Sequence, residues 1–483
     1  PHRLRERRRL GDGRTGEAGD RRVTKERRVV VIGGGVTGLT SAFTVLADAS
    51  RPTRVTVLES AGRTGGLIRT SPFAGLPGVD EGADAFLTRV PWAMQLAADL
   101  GLGAALTSPT GVGAYVWHNG LHEIPGDILM GVPAKVRAFA TSRLFSTRGK
   151  LRAALEPLLP RVPHDDSVGA LVRRRFGREV HERLVDPLVG SIYAADTDSF
   201  SLEAVPQINA LTSHRSLLLA AADARRVPAQ EGPVFAVPIR GMGSLVETLA
   251  DRVVSLGGEI RTGSAVAEIT RSHDGYLVTT VDSAVECDAV VIASPARHSA
   301  GFVRPLSDEA ATQLSQWDHA SVAMVTMAVP APQWRSKWTG SGYLVPKPDQ
   351  RWVTAVSFGS NKWAHWAPAD GSRILRVSLG RDGMDVMHHD DDTIVNLTLA
   401  DLKHHLGVDF VPTETRITRW RESFPQYRPR HFARLALLEA TLQQAAPGVV
   451  LAGASFRGIG IPACIQQARA AASSVLARLD AHN

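Results

Sequence analysis

Apolar and polar positions near the start of the chain follow two different spacings. Residues 29–32 form a short, uninterrupted apolar run, whereas apolar residues from 39 to 46 recur at the spacing of one helix face. A second short stretch with strand character, Arg-Val-Thr-Val-Leu, follows at residues 54–58. Short apolar runs of this length indicate buried strands, and the order strand, helix, strand indicates a βαβ unit. The pattern therefore predicts an α/β fold that begins with a Rossmann-like parallel sheet.

Later parts of the chain divide into helical and strand-like stretches. Apolar residues recur at helical spacing in four stretches, at residues 92–102, 137–159, 168–185 and 216–226. Residues 259–281 alternate in strand fashion around the Asp274-Gly275 turn, and residues 288–295 form another apolar run. Four further stretches have strand character, at residues 322–329, 342–346, 352–358 and 374–379. These patterns predict a helical lobe and an antiparallel-sheet domain beside the parallel sheet.

The composition is that of a large globular protein. The chain has 483 residues, 44% of them hydrophobic, and a mean hydropathy of −0.05, which suits two or three domains with more than one core. No apolar run approaches the roughly 18 to 20 residues of a membrane span, and the N-terminus has no apolar signal core, so we expect a cytoplasmic protein. The two cysteines, Cys287 and Cys464, are far apart and predict neither a disulfide framework nor a metal site.

Positive charge is concentrated at the N-terminus. The net charge is +7, and Arg and Lys residues crowd positions 3–28. Residues 1–26 contain several glycines and almost no apolar residues, which predicts a disordered basic arm. Because charge runs are usually solvated, we expect no nucleic-acid partner, with electrostatic binding to nucleic acid or anionic lipid as the alternative. The chain starts at Pro1, and whether this arm is native is left open.

A glycine motif follows the first apolar run, in the order Gly33-Gly34-Gly35-Val36-Thr37-Gly38. In such a motif the first glycine permits a tight turn, the second lets backbone N–H groups approach a pyrophosphate, and the third lets helix and strand pack closely. Glu59 ends the second predicted strand, where a carboxylate can accept ribose hydroxyls. This combination predicts a dinucleotide site that includes the neighbouring Ser60. Nicotinamide and flavin dinucleotides both stay open at this point.

A second glycine-rich turn follows directly, with the sequence Arg63-Thr64-Gly65-Gly66-Leu67, and Gly82-Ala83-Asp84-Ala85 comes soon after it. The run of an arginine and a double glycine resembles the second fingerprint of the superfamily that contains flavin amine oxidases, phytoene desaturases and protoporphyrinogen oxidases. The resemblance implies that the arginine lies near a diphosphate and that the glycines let the backbone approach a flavin. FAD is therefore the expected cofactor.

The C-terminal part of the chain supports the same expectation. Residues 448–462 combine an apolar run, a glycine turn and the start of a helix, whose N-terminus can present amides and a positive dipole to a flavin ring. This segment resembles the last cofactor motif of the superfamily. The resemblance implies a non-covalent FAD site whose further residues are Val266, Trp420, Gly453, Gly458, Ile459, Gly460 and Ile461.

Residues 186–196, Asp-Pro-Leu-Val-Gly-Ser-Ile-Tyr-Ala-Ala-Asp, indicate the branch of the superfamily. They resemble the porphyrinogen oxidases. Within that branch, a chain that shows no membrane span and is rich in Arg, Ala and Gly resembles the oxygen-dependent coproporphyrinogen III oxidases of Gram-positive bacteria. Ser191 and Ala195 depart from that family, which usually has glycine at both positions. The resemblance implies that coproporphyrinogen III is aromatised to coproporphyrin III in haem biosynthesis by three two-electron oxidations. Flavin N5 would accept the hydride and O2 would be reduced to H2O2.

Such a substrate places demands on its pocket. A porphyrinogen is a large apolar macrocycle with propionate groups, so the pocket should be mostly apolar with a few cations at its rim. Arg89 is the expected rim cation, because a guanidinium group suits a carboxylate. Tyr193, Leu344 and Phe358 are candidate apolar walls. Because the flavin supplies the chemistry, no catalytic acid, base or nucleophile is obligatory, and no metal is expected.

Alternative functions stay open, namely a protoporphyrinogen IX oxidase, a flavin amine oxidase, and a non-catalytic carrier on the same fold. The resemblance also suggests hand-over of the product to a ferrochelatase and weak peripheral contact with a membrane. The patterns and the resemblance together predict these domain boundaries: residues 1–26 for the arm; 27–100, 231–300 and 416–483 for a discontinuous FAD-binding domain; 101–230 for the helical lobe; and 301–415 for the substrate-binding sheet domain.

Overall fold

The computed structural model describes residues 26–126, 128–160, 166–226 and 232–481. Apart from Glu26, the predicted basic arm lies outside the described residues. The strands in chain order are β1 Arg27–Ile32, β2 Thr53–Leu58, β3 Thr70–Phe73, β4 Leu76–Asp80, β5 Phe86–Leu87, β6 Leu106–Thr107, β7 Tyr115–Trp117, β8 Leu121–Glu123, β9 Ile128–Leu129, β10 Val132–Pro133, β11 Phe235–Pro238, β12 Glu259–Arg261, β13 Val266–Ser272, β14 Gly275–Thr280, β15 Ala284–Cys287, β16 Ala289–Ile292, β17 His319–Val329, β18 Gly342–Leu344, β19 Val353–Phe358, β20 Arg373–Leu379, β21 Glu414–Pro425 and β22 Val449–Leu451.

Sixteen α-helices lie among these strands in the described chain. In chain order they are α1 Val36–Asp48, α2 Pro91–Asp99, α3 Val136–Thr141, α4 Thr147–Ala154, α5 Val168–Phe176, α6 Arg178–Val180, α7 Asp186–Tyr193, α8 Pro206–Leu211, α9 Leu217–Ala224, α10 Gly243–Ser255, α11 Ala296–Val303, α12 Asp308–Ser315, α13 Gly359–Lys362, α14 Asp391–Leu406, α15 His431–Ala445 and α16 Ile461–Ala481. A single π-helical turn, His181–Val185, joins α6 to α7.

Five parallel strands form the first sheet, in the order β12-β2-β1-β16-β22. Alternate residues of β1 face two different cores. Val29 and Val31 pack with α1, α10 and α16, whereas Val30 and Ile32 pack with α11, α12 and α15. A sheet covered on both faces is typical of parallel strands. The predicted α/β fold with a Rossmann-like sheet is therefore confirmed, and β1, α1 and β2 form its first βαβ unit.

A seven-stranded sheet forms the second unit, in the order β21-β17-β20-β19-β18-β7-β8. All of its neighbouring strands are antiparallel except β18 and β7. One face of the sheet packs on α14, where Val325, Leu375 and Val377 meet Ile394 and Leu402. The four stretches predicted as strands between residues 322 and 379 all belong to this sheet, as β17 to β20.

Helices α3 to α9 form a lobe around a separate hydrophobic core that includes Phe139, Phe176 and Phe200. The stretch 137–159, which has helical spacing throughout, is divided between α3, α4 and a short 3₁₀ turn. Ser146 causes the division, because its side chain accepts a hydrogen bond from Gly149 N at 3.0 Å and so begins a new helix. The stretch 168–185 is divided at Gly177, whose φ of +91° ends α5.

The fold also bears on the predictions about membrane spans, metal sites and cysteines. Within the described ranges, no helix is both long enough and apolar enough to cross a bilayer. In the same ranges, no three His, Cys, Asp or Glu side chains are grouped so that they could hold a metal ion. Cys287 and Cys464 are both free and buried. The cytoplasmic location and the domain boundaries stay predictions.

Candidate functional site

The turn between β1 and α1 needs its glycines for two reasons. Gly33 has a φ of +107°, which L side chains rarely adopt, and its N–H donates to Leu58 O at 2.8 Å. A Cβ atom on Gly38 would lie 1.8 Å from Gly33 O. Gly35 provides no side-chain cap to α1. The turn therefore presents the N-terminus of a 13-residue helix to an anionic ligand such as a pyrophosphate.

Glu59 lies beside this turn, at the end of β2. Its side chain is buried, and Oε2 accepts a hydrogen bond from Gly34 N at 2.6 Å. Oε1 accepts from Ala61 N at 2.8 Å and from Ser60 Oγ at 3.3 Å. Ser264, two residues before Val266, donates its N–H to Glu59 O at 2.8 Å. The structure thus brings Glu59, Ser60 and the start of β13 together, as a ribose site next to a pyrophosphate site requires.

The second glycine-rich turn packs directly on the first. Gly65 forms an isolated parallel bridge with Gly35, and its N–H donates to Gly34 O at 2.8 Å. Gly65 and Gly66 have φ values of +104° and +55°. Arg63 is exposed and folds back on its own turn, donating to Gly66 O at 2.7 Å. Its guanidinium group therefore supports the turn, and its predicted contact with a diphosphate stays a prediction.

The segment 82–85 is held between this turn and the seven-stranded sheet. A Cβ atom on Gly82 would lie 2.5 Å from Leu67 O and 3.2 Å from the Trp420 ring. Trp420 on β21 donates from Nε1 to Glu81 O at 3.1 Å. The predicted residues Gly82, Leu67 and Trp420 are thus in direct contact. Ala83 is exposed beside them, and Ala85 packs against the core under the parallel sheet.

The last glycine turn, residues 453–460, lies against the start of α1 and so joins the first two glycine turns. Gly453 and Gly458 have φ values of +124° and +121°, and α16 begins three residues later at Ile461. A Cβ atom on Gly453 would lie 3.6 Å from Thr37 Oγ1, so this turn meets the start of α1. Gly460 and Ile461 therefore stand at the N-terminus of a 21-residue helix beside the first glycine turn. The three glycine turns, distant in sequence, form one continuous surface.

One face of the seven-stranded sheet is directed towards this surface. Cross-strand pairs place Met324, Ser378, Ala355 and Leu344 side by side on β17, β20, β19 and β18. All four side chains are half-buried, and their neighbours along each strand pack on the opposite face, against α14. Arg376, two residues before Ser378 and on the same face, donates to Gly82 O. The row of four residues, which we call the sheet wall, therefore faces the glycine turns.

The other predicted substrate residues occupy different places. Tyr193, at the end of α7, borders the helical-lobe core together with Ile459 of the last glycine turn. Arg89 follows β5, is half-buried, and donates from Nη2 to Gly232 O at 3.3 Å. Phe358 does not lie on the face of the sheet that carries the sheet wall. It is 1% exposed, and its ring packs at 4.9 Å from Trp334 in the core beneath α14, because successive strand residues alternate between the two faces.

Comparison with known proteins identifies the family. Residues 36–476 match the family described as flavin containing amine oxidoreductase. The chain belongs to this family. Relatives of this flavin amine oxidoreductase include the coproporphyrinogen III oxidase of Bacillus subtilis (strain 168), which is 34% identical and aligns over 94% of this chain and 99% of its own. The coproporphyrinogen III oxidase of Staphylococcus aureus (strain NCTC 8325 / PS 47) is 30% identical, with 93% and 99% covered.

A solved structure agrees with the fold of this flavin amine oxidoreductase. A protein from Exiguobacterium sp. 255-15, provisionally named a protoporphyrinogen oxidase, superposes with a TM-score of 0.84. It is 28% identical and covers 94% of this chain and 99% of its own. The likeness extends over the parallel sheet, the helical lobe and the seven-stranded sheet alike.

Two side chains form hydrogen bonds to the backbone of the last glycine turn of this flavin amine oxidoreductase, and sequence patterns do not identify them. Tyr427 donates from its hydroxyl to Ala454 O at 2.5 Å and accepts from Gly458 N at 2.7 Å. His431 bonds through Nε2 to Phe456 O at 2.7 Å. Burial raises the pKa of Tyr427 well above its ordinary value, so the hydroxyl stays a donor. Tyr427 lies in the same stretch as Trp420, which is the only sequence signal for it.

Asp84 is an anion held at the site by two cations. Burial alone would raise its pKa, but Lys362 and Arg376 more than offset that effect and hold the pKa at about 2. Lys362 Nζ lies 2.8 Å from Asp84 Oδ2, and Arg376 Nη1 lies 3.3 Å from the same atom. Asp84 is therefore ionised at neutral pH, and it ties the segment 82–85 to the seven-stranded sheet.

Asp80, at the end of β4, has a raised pKa, in contrast to the lowered pKa of Asp84. It is fully buried, and Oδ1 accepts a hydrogen bond from Met242 N at 2.8 Å at the start of α10. In the described structure Oδ2 has no hydrogen-bond partner. Burial raises the pKa of Asp80 from about 3.8 to about 6, despite the hydrogen bonds from Thr70 and Met242. A raised pKa in the folded state stabilises the fold at low pH, and that stabilisation is lost as pH rises through about 6.

Replacing Asp80 with asparagine is expected to change the pH dependence of stability. Asparagine keeps an acceptor for Met242 N but does not ionise. The free energy of unfolding of Asp80→Asn relative to the original protein should therefore rise by roughly 2–3 kcal/mol between pH 4, close to the ordinary pKa, and pH 8, well above the pKa of about 6 in the folded state. Chemical denaturation followed by tryptophan fluorescence at several pH values measures this difference. If the free energies of unfolding of the two proteins differed by the same amount at every pH, Asp80 would not titrate in this range, and the prediction would be wrong.

Proposed function

We propose that this flavin amine oxidoreductase is an oxygen-dependent coproporphyrinogen III oxidase of haem biosynthesis that binds FAD non-covalently. The observation that supports the proposal most directly is similarity, at 34% and 30% identity, to two enzymes named coproporphyrinogen III oxidase. The alignments cover 94% and 93% of this chain. The reaction converts coproporphyrinogen III to coproporphyrin III in three two-electron oxidations.

The glycine turns suit FAD rather than a smaller flavin. The N-terminus of α1 offers N–H groups to a diphosphate, and Glu59 offers its carboxylate oxygens, each with more than one lone pair, to a ribose. Val266 stays the predicted contact for the adenine side, two residues after Ser264, whose N–H donates to Glu59 O at 2.8 Å.

Covalent attachment is not expected at the cysteine nearest the last glycine turn. The Sγ atom of Cys464 lies 3.8 Å from Gly458 O. Burial raises the pKa of the Cys464 thiol to about 11, so the reactive thiolate is scarce at neutral pH. FAD should therefore be released when the protein is denatured.

The role of the chain itself is to position the substrate. FAD held by the glycine turns and Glu59 would supply the redox chemistry, a two-electron oxidation of the substrate with O2 as the final electron acceptor. The sheet wall of Met324, Ser378, Ala355 and Leu344 is mostly small or apolar, which suits the face of a flat, apolar macrocycle. Arg89 stays the predicted contact for a propionate group, and Tyr193 a predicted second wall. No side chain is required as a general acid, general base or nucleophile.

Protoporphyrinogen IX is the alternative substrate. The observation that favours it is the TM-score of 0.84 with the Exiguobacterium protein provisionally named a protoporphyrinogen oxidase. The two substrates differ in the number of propionates, four against two, so a cation at the pocket rim would favour coproporphyrinogen III. A flavin amine oxidase or a non-catalytic carrier has no such specific support.

The test is aerobic turnover by the purified holoprotein. Coproporphyrinogen III, reduced beforehand, is mixed with the protein, and porphyrin fluorescence and peroxide are followed together above the uncatalysed background. About three H2O2 per coproporphyrin III are expected, one for each two-electron oxidation. Heat-denatured protein should release FAD into the supernatant. Failure to form porphyrin would contradict the proposed reaction, and flavin retained by the denatured chain would contradict non-covalent binding.

We also propose weak peripheral contact with an anionic membrane surface through the helical lobe. Leu151, Leu155 and Leu158 on and after α4 are 62%, 44% and 74% exposed. Residues 135–160 contain six Arg and Lys residues and a single acid, Glu156, which is buried. Exposed leucines among cations suit an anionic lipid surface. Cosedimentation with phosphatidylserine vesicles should fall in a Leu151→Ser/Leu158→Ser variant, and equal cosedimentation would refute the contact.

Two further predictions concern the cellular setting. The product would be handed to a ferrochelatase for insertion of iron, and the protein would act in the cytoplasm. Pull-down of a ferrochelatase with the purified protein, and fractionation of the producing cells, would test them.

A further inference from the structure

The last turn of α7 lies between the two proposed halves of the site. Helix α7 packs against β18 and β19, the strands that carry Leu344 and Ala355 of the sheet wall. Its final residue, Tyr193, borders the same core as Ile459 of the last glycine turn. Ile192, in the same turn, is 46% exposed. This turn is therefore placed to touch a substrate held between the sheet wall and the glycine turns.

One buried cation connects this turn to the seven-stranded sheet. Arg381, two residues after the end of β20, makes a bidentate ion pair with Asp186, the first residue of α7, with both N–O distances at 3.1 Å. The side chains are 6% and 1% exposed. The same guanidinium group donates to Ala195 O, just beyond the end of α7. Arg381 therefore holds both ends of the helix from the side of the sheet.

The backbone around this contact is closely packed. A Cβ atom on Gly190 would lie 3.3 Å from Arg381 Nη2 and 2.9 Å from Ala195 O, so the guanidinium group rests against the helix backbone. Asp382 donates its N–H to Ala194 O at 2.8 Å. A change in the length or shape of the residue at 381 would therefore be transmitted to the last turn of α7.

We propose that Arg381 is a positioning residue for the substrate. By holding Asp186 and Ala195 O at once, it sets the distance between the last turn of α7 and the sheet wall, and so the width of the substrate cavity. The inference rests on the proposed function, because it assigns this cavity to a porphyrinogen. Arg381 has no part in the redox chemistry itself.

Arginine is specifically suited to this role. Its planar guanidinium group offers a bidentate fork to a carboxylate and a further donor to a carbonyl. Lysine keeps the charge but offers it from a single point, so it cannot satisfy Asp186 bidentately and hold Ala195 O in the same geometry. The conservative variant Arg381→Lys should therefore loosen the turn without leaving Asp186 as an unpaired buried charge.

Steady-state kinetics of Arg381→Lys with coproporphyrinogen III test the proposal. We expect KM to rise about tenfold while kcat stays within about twofold, because the change weakens substrate placement and leaves the redox step alone. The flavin absorbance spectrum and the FAD content should equal those of the original protein. Asp186→Asn, which removes the other half of the ion pair, should raise KM in the same way and provides the test if Arg381→Lys does not fold.

Arg175→Lys is the matched control. Arg175 forms an equally buried ion pair with Glu156 inside the helical lobe, with side chains 3% and 0% exposed, away from the last turn of α7. This variant should lose thermal stability to a similar extent but keep its KM. Equal KM values in Arg381→Lys and the original protein, or an equal rise in KM in Arg175→Lys, would overturn the positioning role while leaving the proposed function intact. Absence of turnover by the original protein would overturn the proposed function and this inference with it.

Discussion

Replacing Gly38 with alanine is expected to yield a protein that purifies without flavin. The added Cβ atom would lie 1.8 Å from Gly33 O. The backbone fixes the position of the Cβ atom, and Gly33 O is itself a backbone atom, so no side-chain rotation can relieve the clash. The start of α1 must therefore move from β1, which removes the N–H groups that hold a pyrophosphate. We expect FAD affinity to fall by at least about a hundredfold, equivalent to roughly 3 kcal/mol. The ratio of flavin absorbance to protein absorbance after purification measures the effect.

Gly62→Ala is the matched control for this substitution. Gly62 lies at the start of the second glycine turn, and a Cβ atom there would meet nothing within 4 Å. This variant should bind FAD as the original protein does. A yellow Gly38→Ala protein with a full complement of flavin would mean that the cofactor does not depend on the first glycine turn.

Replacing Arg376 with methionine is expected to destabilise the fold and to weaken flavin retention. Arg376 is 4% exposed, contacts Asp84 and donates to Gly82 O, so it joins the sheet to the segment 82–85, which is predicted to contact the flavin. Without it, Asp84 keeps Lys362 as its only cation within reach among the described residues. Breaking a buried ion pair costs about 3–5 kcal/mol, and the lower end applies because Lys362 remains. Chemical unfolding should show a loss of about 3 kcal/mol, with weaker flavin retention.

Arg419→Met controls for the loss of a cation from the same sheet. Arg419 lies on β21 and pairs with Asp391 on the α14 side, with side chains 21% and 66% exposed. Such an exposed pair contributes at most about 1 kcal/mol. Equal losses in the two variants would mean that the link from Arg376 to Asp84 has no special role.

The first βαβ unit and the three glycine turns could be predicted from the sequence because local rules govern them. L side chains rarely adopt the φ of +107° at Gly33, and a Cβ atom on Gly38 would lie within 2 Å of a backbone oxygen, so both glycines are visible as a motif before any contact is known. Glu59 could be placed beside Gly34 because the ends of adjacent parallel strands meet at one edge of a sheet.

Other features depend on tertiary packing that the sequence does not display. Phe358 and Leu344 both lie in apolar strands, and since both faces of this sheet are covered, apolar spacing does not reveal which side chain faces the site. The ion pairs of Arg376 with Asp84 and of Arg381 with Asp186 join residues almost 300 and almost 200 positions apart. Many arginines are spread along the chain, so no spacing rule identifies these two.

The most direct test of the central claim is a comparison of kcat/KM for coproporphyrinogen III and protoporphyrinogen IX with the same flavin-loaded protein. We expect coproporphyrinogen III to be preferred by about tenfold or more, the discrimination that one or two additional carboxylate contacts can supply. A preference for protoporphyrinogen IX would contradict the substrate assignment while keeping the reaction class. Turnover of neither compound by a protein that carries FAD would contradict the porphyrinogen oxidase function itself.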